Sequence, residues 1–380
     1  MVRKKLFIGV FLFLAMPGLV HAATATTVLT PKQKLGQFLY MDKSLSSPVG
    51  QACVTCHHPS AGFADPDNRK DPVNSVVSVG ADGFSVGGRN APTAAYAAHS
   101  PVFQWDAKRG MYIGGQFWDG RAPTLKEQAK GPFLNPVEMA NTMEGVVAAV
   151  RQAPYAWLFF QVYGPTSLDD VPVAYDKIAE AIADFEGTGI LNKFTSKYDY
   201  YLAGKVRLSK KELRGFQLFN DPLKGNCAAC HPSTRGPYDP RHPLFTDYSF
   251  DNLGIPKSTN PLIANNPVDY GLGLRAAIAA VDPCTLPDGA VVSCSQAGKY
   301  KVPALRNIAK TPPYAHNGYF ATLTEIVNFY NTADIAGMWS DPEVPLNVNR
   351  TELGNLGLTA AEVEDIVAFL HTLSDGYPLP

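Results

Sequence analysis

The chain has 380 residues and a formal net charge of −1, and 46% of its residues are hydrophobic and 18% charged. This composition is typical of a globular protein with one large or two ordinary domains, and it argues against intrinsic disorder. Lys and Arg are scattered along the chain rather than clustered, so it lacks the basic face with which a nucleic-acid-binding protein neutralises phosphates.

The N-terminus is predicted to be a secretory signal peptide, residues 1–22. Arg3, Lys4 and Lys5 form a positive segment, an apolar run follows, and Val20-His21-Ala22 offers a small-residue cleavage site. The apolar run is too short to span a bilayer, and no later segment approaches about 18 apolar residues. We therefore expect cleavage near Ala22, export to a bacterial periplasm, and a mature protein that does not span the membrane.

Two short motifs predict covalently bound haem. Residues 53–57 (CVTCH) and 227–231 (CAACH) both have the C-x-x-C-H spacing of c-type haem attachment. Two thiols one helical turn apart add to the two vinyl groups of the porphyrin, and the next residue places an imidazole under the iron. A zinc site and a thioredoxin-type dithiol are the alternatives, but neither explains a histidine after each cysteine pair. The predicted haem-binding residues are Cys53, Cys56, His57, Cys227, Cys230 and His231.

The chain contains an internal near-duplication. An amphipathic helical pattern precedes each motif, at residues 35–40 and at residues 214–219. Each half also closes with a helical pattern, at residues 175–185 and at residues 359–373. In the last of these, Thr359 is followed three residues later by a glutamate, which predicts a capping box.

Convincing strand alternation is scarce, so the predicted fold is mainly α. We expect two cytochrome c-like haem domains, residues 23–200 and residues 201–380, joined around residues 195–210. The two remaining cysteines, Cys284 and Cys294, lie in a Pro/Gly/Ser-rich stretch. In an oxidising compartment they predict a loop disulfide, and a catalytic dithiol is the less favoured alternative.

Function depends on the sixth ligand of each iron, because a haem motif supplies only the proximal one. Electron carriers fill this position with Met or His, whereas enzymes leave it open or occupy it reversibly. Between His58 and Asn90 there is neither His nor Met. The first haem therefore lacks an obvious strong distal ligand in the nearest loop.

Several longer segments resemble the bacterial di-haem cytochrome c peroxidase and MauG family. Two of them are similar to the distal block of its first domain, and three are similar to a block of its second domain. The similarity runs from about residue 35 to residue 373 with both haem motifs in register, so the chain is identified as a member. The segments are residues 117–122 (FWDGRA), 128–139 (QAKGPFLNPVEM), 301–308 (KVPALRNI), 311–318 (TPPYAHNG) and 321–330 (ATLTEIVNFY).

The resemblance implies that the first haem is the peroxide site. Glu138 matches the distal carboxylate, which can take a proton from the bound oxygen and return it to the leaving one if burial raises its pKa. Without the resemblance, Glu138 would be read as a surface glutamate. Gln128 matches a neutral partner that orients peroxide. Trp118 matches a tryptophan that lies between the two haems and relays oxidising equivalents, although a lone tryptophan is more often simply part of a core.

At the second haem the sequence departs from the conventional peroxidases. In members that take electrons from a small cytochrome, the residue fourteen positions after the Pro-Tyr-x-His histidine is Met, and here the count from His316 reaches Tyr330. Tyrosinate is the MauG-like ligand and favours high-valent iron, whereas a Met thioether favours the reduced form. The alternative is that Tyr330 packs on a helix face and Met338 or another Met ligates. The segment 84–92 also lacks the distal histidine of conventional members.

The resemblance further implies a calcium ion between the domains, close to Trp118. Asn90 and the backbone carbonyls of Thr311 and Pro313 match its protein ligands, and oxygen donors of this kind suit a hard cation. His316 is expected to lie at a haem edge or to anchor a loop rather than to bind iron.

Together these features predict a periplasmic MauG-type enzyme. It would activate hydrogen peroxide at the N-terminal haem and oxidise a partner protein or another donor through the C-terminal haem. None of the four tryptophans lies beside the second haem motif, so a surface tryptophan relay there is not evident. One alternative is a conventional peroxidase that reduces peroxide to water with electrons from a small c-type cytochrome or cupredoxin. The other is a non-catalytic di-haem electron carrier.

Overall fold

The computed structural model describes residues 28–379, so the predicted signal peptide lies outside the described residues. Over that range the chain is helix-rich, with three two-stranded antiparallel sheets. No helix within it is long and apolar enough to cross a bilayer. The first-half helices are α1 (Pro31–Met41), α2 (Cys53–Cys56), α3 (Pro66–Lys70), α4 (Leu125–Leu134), α5 (Met143–Gln152), α6 (Ala156–Tyr163) and α7 (Val171–Glu186).

The second half continues the same pattern of short helices and small sheets. The segment predicted to join the halves contains α8, so the connection is itself partly helical. The helices are α8 (Lys197–Leu202), α9 (Lys210–Asn220), α10 (Ala276–Ala279), α11 (Leu323–Thr332) and α12 (Ala360–His371). The sheets pair β1 (Gln104–Asp106) with β2 (Met111–Ile113), β3 (Phe250–Asp251) with β6 (Tyr300–Lys301), and β4 (Pro283–Thr285) with β5 (Val291–Ser293).

Side-chain caps set where the helices begin. At α12 the Thr359 hydroxyl accepts from the backbone N–H of Glu362, and the Glu362 carboxylate accepts from the N–H of Thr359 at 2.8 Å. The predicted capping box is therefore confirmed. Helix α9 begins in the same way with Ser209 and Glu212. These bonds satisfy N–H groups that the first turn of a helix leaves without partners.

Both halves use the same helix packing. The helix that precedes each haem motif packs against the last helix of its half, α1 against α7 and α9 against α12. Each crossing lies at a glycine. A Cβ at Gly36 would lie 1.9 Å from the carbonyl oxygen of Ala181, and one at Gly215 would lie 1.8 Å from that of Asp365. The two backbones are thus closer together than any side chain at these positions allows.

Each half also has its own apolar core. The first is a mixed aliphatic and aromatic cluster between α1, α4, α5, α6 and α7. The second is rich in aromatic rings: Phe219, Phe245 and Phe369 pack with ring centroids 5.2–6.1 Å apart. Leu244 and Tyr248 follow the second motif in sequence but belong to the first core, so this loop packs across the interface between the halves.

An ion cluster joins the two halves. The Arg89 guanidinium donates to both carboxylate oxygens of Asp269, at 2.5 and 2.7 Å, and to Asp119 at 2.7 Å. Arg121 contacts the second oxygen of Asp119 at 3.1 Å. Asp269 follows Arg89 by 180 residues. A bidentate Arg–carboxylate pair specifies orientation, so this cluster aligns the halves as well as joining them.

The predicted loop disulfide is confirmed. Cys284 lies in β4, Cys294 directly follows β5, and the two cysteines are bonded. The bridge closes a hairpin beside a small apolar cluster that includes Tyr270 and Val292. The stretch is therefore a covalently braced hairpin, and its cysteines are not a free dithiol.

The glycine crossings lead to a stability prediction. We expect Gly215→Ala to lower the free energy of unfolding by about 1–3 kcal/mol, because the added methyl forces α9 and α12 apart. Gly187→Ala is the matched control: its Cβ would lie 3.5 Å from the nearest atom, and we expect a change below about 1 kcal/mol. Urea unfolding of both variants measures the difference. Equal stabilities would contradict close packing at this crossing.

Candidate functional site

The first motif presents its histidine in one defined orientation. Cys53 and Cys56 lie at the two ends of α2, and His57 follows as its C-cap. The ring Nδ1 of His57 contacts the carbonyl oxygen of Phe63 at 3.2 Å. Because a carbonyl only accepts, Nδ1 carries the proton and Nε2 keeps its lone pair for a metal. The Tyr40 hydroxyl donates to the His57 carbonyl at 2.8 Å, which ties the motif to α1.

The second motif repeats this arrangement. His231 Nδ1 donates to the carbonyl oxygen of Phe245 at 2.7 Å, again leaving Nε2 as the free donor atom. Burial lowers the pKa of His57 and of His231, so both imidazoles stay neutral, the form that binds metal. Burial also raises the pKa of the Cys227 thiol to about 12, unlike the lowered value of a reactive dithiol.

A large cavity of about 270 Å³ adjoins the second motif. Most of its lining residues are apolar, including Phe219, Leu323 and Leu370. A mostly apolar wall, two thiols at the attachment spacing and a neutral imidazole suit a flat apolar cofactor such as haem. The cavity also brings together many of the residues that the sequence analysis identified as candidates. These are Cys227, Cys230, His231, Tyr330, Trp118, Asn90, Thr311, Pro313 and His316.

Tyr330 lies on α11 and lines this cavity, whereas the alternative ligand Met338 does not. Met338 is 55% exposed to solvent. Burial raises the pKa of the Tyr330 phenol above its ordinary value, so the protein by itself keeps this group neutral. Ionising it requires a nearby cation, and a bound iron is such a cation. The geometry therefore suits Tyr330 as a candidate iron ligand and gives no support to Met338.

Glu138 is half-buried close to the first motif. The Asn135 side-chain amide donates to its carboxylate at 2.8 Å. Burial raises the pKa of Glu138 above its ordinary value, although Asn135 and the charge of Arg121 act in the opposite direction. Burial also raises the pKa of the Cys53 and Cys56 thiols, and the nearby charge of Glu138 adds to that increase. A carboxyl with a raised pKa beside the motif can both hold and release a proton.

Trp118 connects the two halves through its own polar atoms. The indole Nε1 donates to the carbonyl oxygen of Asn90 at 2.9 Å, and its backbone carbonyl accepts from the N–H of Lys301 at 2.7 Å. Asn90 belongs to the first half and Lys301 to strand β6 of the second.

Gln128 is half-buried on α4, the helix that ends four residues before Glu138.

The residues predicted to bind calcium share the cavity wall. Asn90, Thr311 and Pro313 all line it. The side-chain nitrogen of Asn90 donates to the carbonyl oxygen of Val76 at 3.0 Å, which leaves its side-chain oxygen available to a cation. The His316 carbonyl accepts from the N–H of Asn90 at 2.7 Å, and the buried His316 ring stacks on Tyr300 with centroids 3.7 Å apart.

A buried ion cluster was not predicted from the sequence. The Arg306 guanidinium, 0% exposed, donates to both oxygens of Asp199 at 2.8 Å and to the carbonyl oxygen of Pro243 at 2.9 Å. His242 contacts Asp199 at 2.6 Å. Burial raises the pKa of Asp199, but Arg306, Ser196 and His242 lower it more. The cluster links α8 to the segment after the second motif.

Two further charged residues with strongly shifted pKa values, Glu186 and Lys301, escaped the sequence analysis. Glu186, at the end of α7, is 5% exposed, and burial raises the pKa of its carboxyl to about 8. Its charge also acts on the Cys53 thiol, so it lies near the first motif. Lys301 lines the cavity, and burial lowers the pKa of its ammonium to about 8. No sequence pattern marks either residue as buried, because their burial depends on helices and strands from distant parts of the chain.

Comparisons with known proteins agree on one family. The family model described as di-haem cytochrome c peroxidase matches residues 30–207. The methylamine utilization protein MauG of Paracoccus denitrificans is 40% identical over 359 residues, which cover 90% of this chain and 88% of that protein. The cytochrome c551 peroxidase of Nitrosomonas europaea is 33% identical over 350 residues, covering 91% and 80%.

A solved structure extends the agreement to the fold. The crystal structure of the diheme peroxidase BthA from Burkholderia thailandensis superposes with a TM-score of 0.76 at 29% sequence identity. The match covers 94% of this chain and 89% of that one. The similarity therefore extends over both halves and is not confined to one haem-binding unit.

The buried ion cluster predicts a large loss of stability in Arg306→Met. Removing Arg306 leaves the Asp199 carboxylate buried without its main partner, which costs about 3–5 kcal/mol of unfolding free energy. The control is Lys211→Met: Lys211 pairs with Glu364, but the two side chains are 47% and 64% exposed, so we expect less than about 1 kcal/mol. Chemical denaturation near neutral pH measures both.

The same cluster predicts a pH dependence. Asp199 has a lowered pKa in the folded protein, so its contribution to stability is present above its unfolded value and is lost as the pH falls below about 4. In Arg306→Met this acid-dependent part of the stability is smaller. If Arg306→Met and Lys211→Met lost the same amount of stability, that result would contradict the buried pair.

Proposed function

The chain belongs to the di-haem cytochrome c peroxidase and MauG family, and we propose that it is a MauG-type member that oxidises a partner protein or another bulky donor. Family membership makes it a haem-dependent oxidoreductase with two haem c groups. When bound, these groups supply peroxide activation and hold oxidising equivalents. We assign the peroxide site to residues 23–200, the second haem to residues 201–380, and the location to the periplasm.

The position of the Tyr330 phenol is the observation that carries the proposal. It lies on the wall of the cavity that contains Cys227 and His231, with no methionine among the described residues of that wall. An anionic oxygen ligand stabilises oxidised iron, whereas a thioether stabilises the reduced form that accepts electrons from a small cytochrome. Relatives named MauG and relatives named cytochrome c peroxidase both cover most of the chain, so the proposal rests on Tyr330 and not on overall identity.

At the first haem, Glu138 is assigned the proton transfer. With haem held at the first motif, its carboxylate would take a proton from one oxygen of peroxide and deliver it to the other oxygen, which would leave as water. Asn135 holds the carboxylate by a 2.8 Å hydrogen bond. Complete reduction of one peroxide to two waters uses two protons and two electrons, and the donor supplies the electrons. Gln128 is assigned the orientation of peroxide.

Trp118 is assigned the transfer of oxidising equivalents between the two haems. The oxygen atoms of Asn90, Thr311 and Pro313 near it are assigned to calcium. The indole is readily oxidised, and its hydrogen bond to the Asn90 carbonyl at 2.9 Å holds it at the junction of the halves. A calcium ion bound by Asn90, Thr311 and Pro313 would brace the same junction, because their oxygen atoms are the donors that Ca²⁺ prefers.

A conventional peroxidase is the second candidate. Relatives that carry this name cover most of the chain, including the cytochrome c551 peroxidase of Nitrosomonas europaea. This function requires fast electron delivery from a small c-type cytochrome or cupredoxin to the second haem. It predicts rapid peroxide turnover with such a donor. It also predicts that Tyr330→Phe leaves the spectrum of the ferric protein unchanged.

Electron paramagnetic resonance of the ferric protein separates the candidates. We expect one high-spin and one low-spin signal at rest, and the loss of both after one equivalent of peroxide. In Tyr330→Phe the low-spin signal should change at rest and should not disappear together with the high-spin signal. Tyr319→Phe is the control, since Tyr319 is a half-buried tyrosine of the same core outside the cavity wall.

Two results would overturn this assignment. Two low-spin signals that do not respond to peroxide would indicate an electron carrier. An unchanged spectrum in Tyr330→Phe, with fast turnover on a small c-type cytochrome, would indicate a conventional peroxidase.

Glu138→Gln tests the proton transfer. The amide keeps the size and the contact with Asn135 but cannot exchange a proton, so we expect peroxide to react about 10²–10⁴-fold more slowly by stopped-flow absorption. Glu138 must first be deprotonated, so the wild-type rate should fall at acidic pH, at a higher pH than for an ordinary glutamate because burial raises its pKa. The variant should lose this acidic limb, and Glu127→Gln, at a more exposed position on α4, should retain it. A Glu138→Gln rate equal to wild type would rule out the assigned role.

A further inference from the structure

Lys301 is a charged residue on the cavity wall that the proposed mechanism does not use. It lies in β6, and its backbone pairs with Phe250 of β3. Its ammonium group donates to the carbonyl oxygen of Gly115 at 2.6 Å. Burial lowers the pKa of this ammonium to about 8, which means that the protein alone compensates its charge poorly.

No carboxylate of the protein neutralises Lys301. It takes part in none of the ion pairs formed between residues 28 and 379, and the acid whose charge it feels most is Asp119. The Asp119 carboxylate is already engaged by Arg89 at 2.7 Å and by Arg121 at 3.1 Å. The Gly115 carbonyl also accepts from Ser100 at 2.8 Å, so it is shared between two donors.

The acidic side chains that line the cavity make their hydrogen bonds to groups other than Lys301. Asp251 and Glu352 both accept from the side-chain nitrogen of Asn349 at 2.6 Å. Glu343 accepts from the backbone N–H of Asp269 at 3.2 Å. Lys301 is the one Lys or Arg among the described residues that line the cavity. An ammonium on a mostly apolar wall without an anion is costly, so an acidic group from outside the protein would complete this site.

We propose that Lys301 binds a propionate carboxylate of the second haem, acting as a positioning residue that sets the affinity of that haem for an electron. The inference rests on the haem c assignment made above. A haem c attached through Cys227 and Cys230 carries two carboxylates into a cavity where Lys301 is the available cation. The ammonium has donors left after its bond to Gly115, and a carboxylate is the acceptor that gives the strongest such bond.

The ion pair affects reduction through electrostatics. An uncompensated carboxylate near the iron disfavours the reduced state, which carries one more negative charge, and the Lys301 ammonium cancels that effect. A unit charge about 10 Å from the iron, at an effective dielectric constant of about 20, changes the equilibrium constant for reduction about tenfold. That factor corresponds to about 59 mV for one electron.

Protonation gives the pair a second signature. A carboxylate left buried and unpaired by removal of Lys301 has a raised pKa, so it takes up a proton at acidic pH and its effect on the iron disappears. The decrease in electron affinity caused by removing Lys301 should therefore be largest at alkaline pH. Other titratable or charged groups are packed around this part of the cavity, and they are kept the same in wild type and in the Lys301 variants. They are Arg89, Asp119, Arg121, Tyr248, Asp251, Tyr300, His316 and Glu343.

The experiment is a reductive titration of the peroxide-free holoprotein at about pH 6 and about pH 8, followed by absorption. In Lys301→Met we expect the equilibrium constant for reduction of the second haem to be about tenfold lower than in wild type at the higher pH. At the lower pH the decrease should be smaller. Lys301→Arg should stay close to wild type. The matched control is Lys299→Met, which removes a charge two residues earlier in the same segment but outside the cavity wall.

A second readout reports on the carboxylate itself. The resonance Raman bending bands of the haem propionates should shift in Lys301→Met and remain unchanged in Lys299→Met. Lys301→Gln provides a neutral side chain that still donates to Gly115, in case the Met variant does not fold. Unchanged electron affinity and unchanged propionate bands in the neutral variants would overturn the proposal. Failure of the MauG-type function would instead appear as a missing peroxide response with these haem properties intact.

Discussion

The close contact of two helices at a glycine determines where each haem-attachment motif sits. Gly36 and Gly215 allow α1 and α9 to dock against the last helix of their own half, and the chain then turns directly into the cysteine pair. From α1, Tyr40 reaches back to the carbonyl of His57. A backbone carbonyl fixes each imidazole, so its tautomer and direction follow from main-chain geometry rather than from a flexible side chain.

Buried charge is the second organising feature. Arg306 is enclosed by protein acceptors and serves stability, because its partner Asp199 lies within the same cluster. Glu186 is buried near the first motif and Lys301 is half-buried near the second. Loss of hydration raises the pKa of Glu186 to about 8 and lowers the pKa of Lys301 to about 8. Incomplete compensation of this kind is common at functional sites, since a bound group is expected to supply what the protein omits.

The two halves share a packing scheme but differ in the chemistry around their motifs. The first places a carboxyl with a raised pKa, Glu138, beside its cysteines, which suits proton exchange with a small oxidant. The second encloses its motif in a large apolar cavity with the Tyr330 phenol on the wall. The proposed function uses the first half for proton transfer and the second for holding oxidised iron, and Trp118 hydrogen-bonds to both at their junction.

Local patterns in the sequence determined the haem motifs, the helices before and after them, the capping box at Thr359 and the hairpin disulfide, because each depends on residues close together in the chain. Family resemblance added Glu138, Trp118 and Tyr330 as candidate site residues. The tertiary structure alone decided which charges are buried. Arg306 and Lys301 occur in a segment recognised from its sequence, yet their partners, Asp199 and Gly115, lie more than 100 residues away. Burial and charge compensation depend on segments that are far apart in the chain, so no local spacing of residues predicts them.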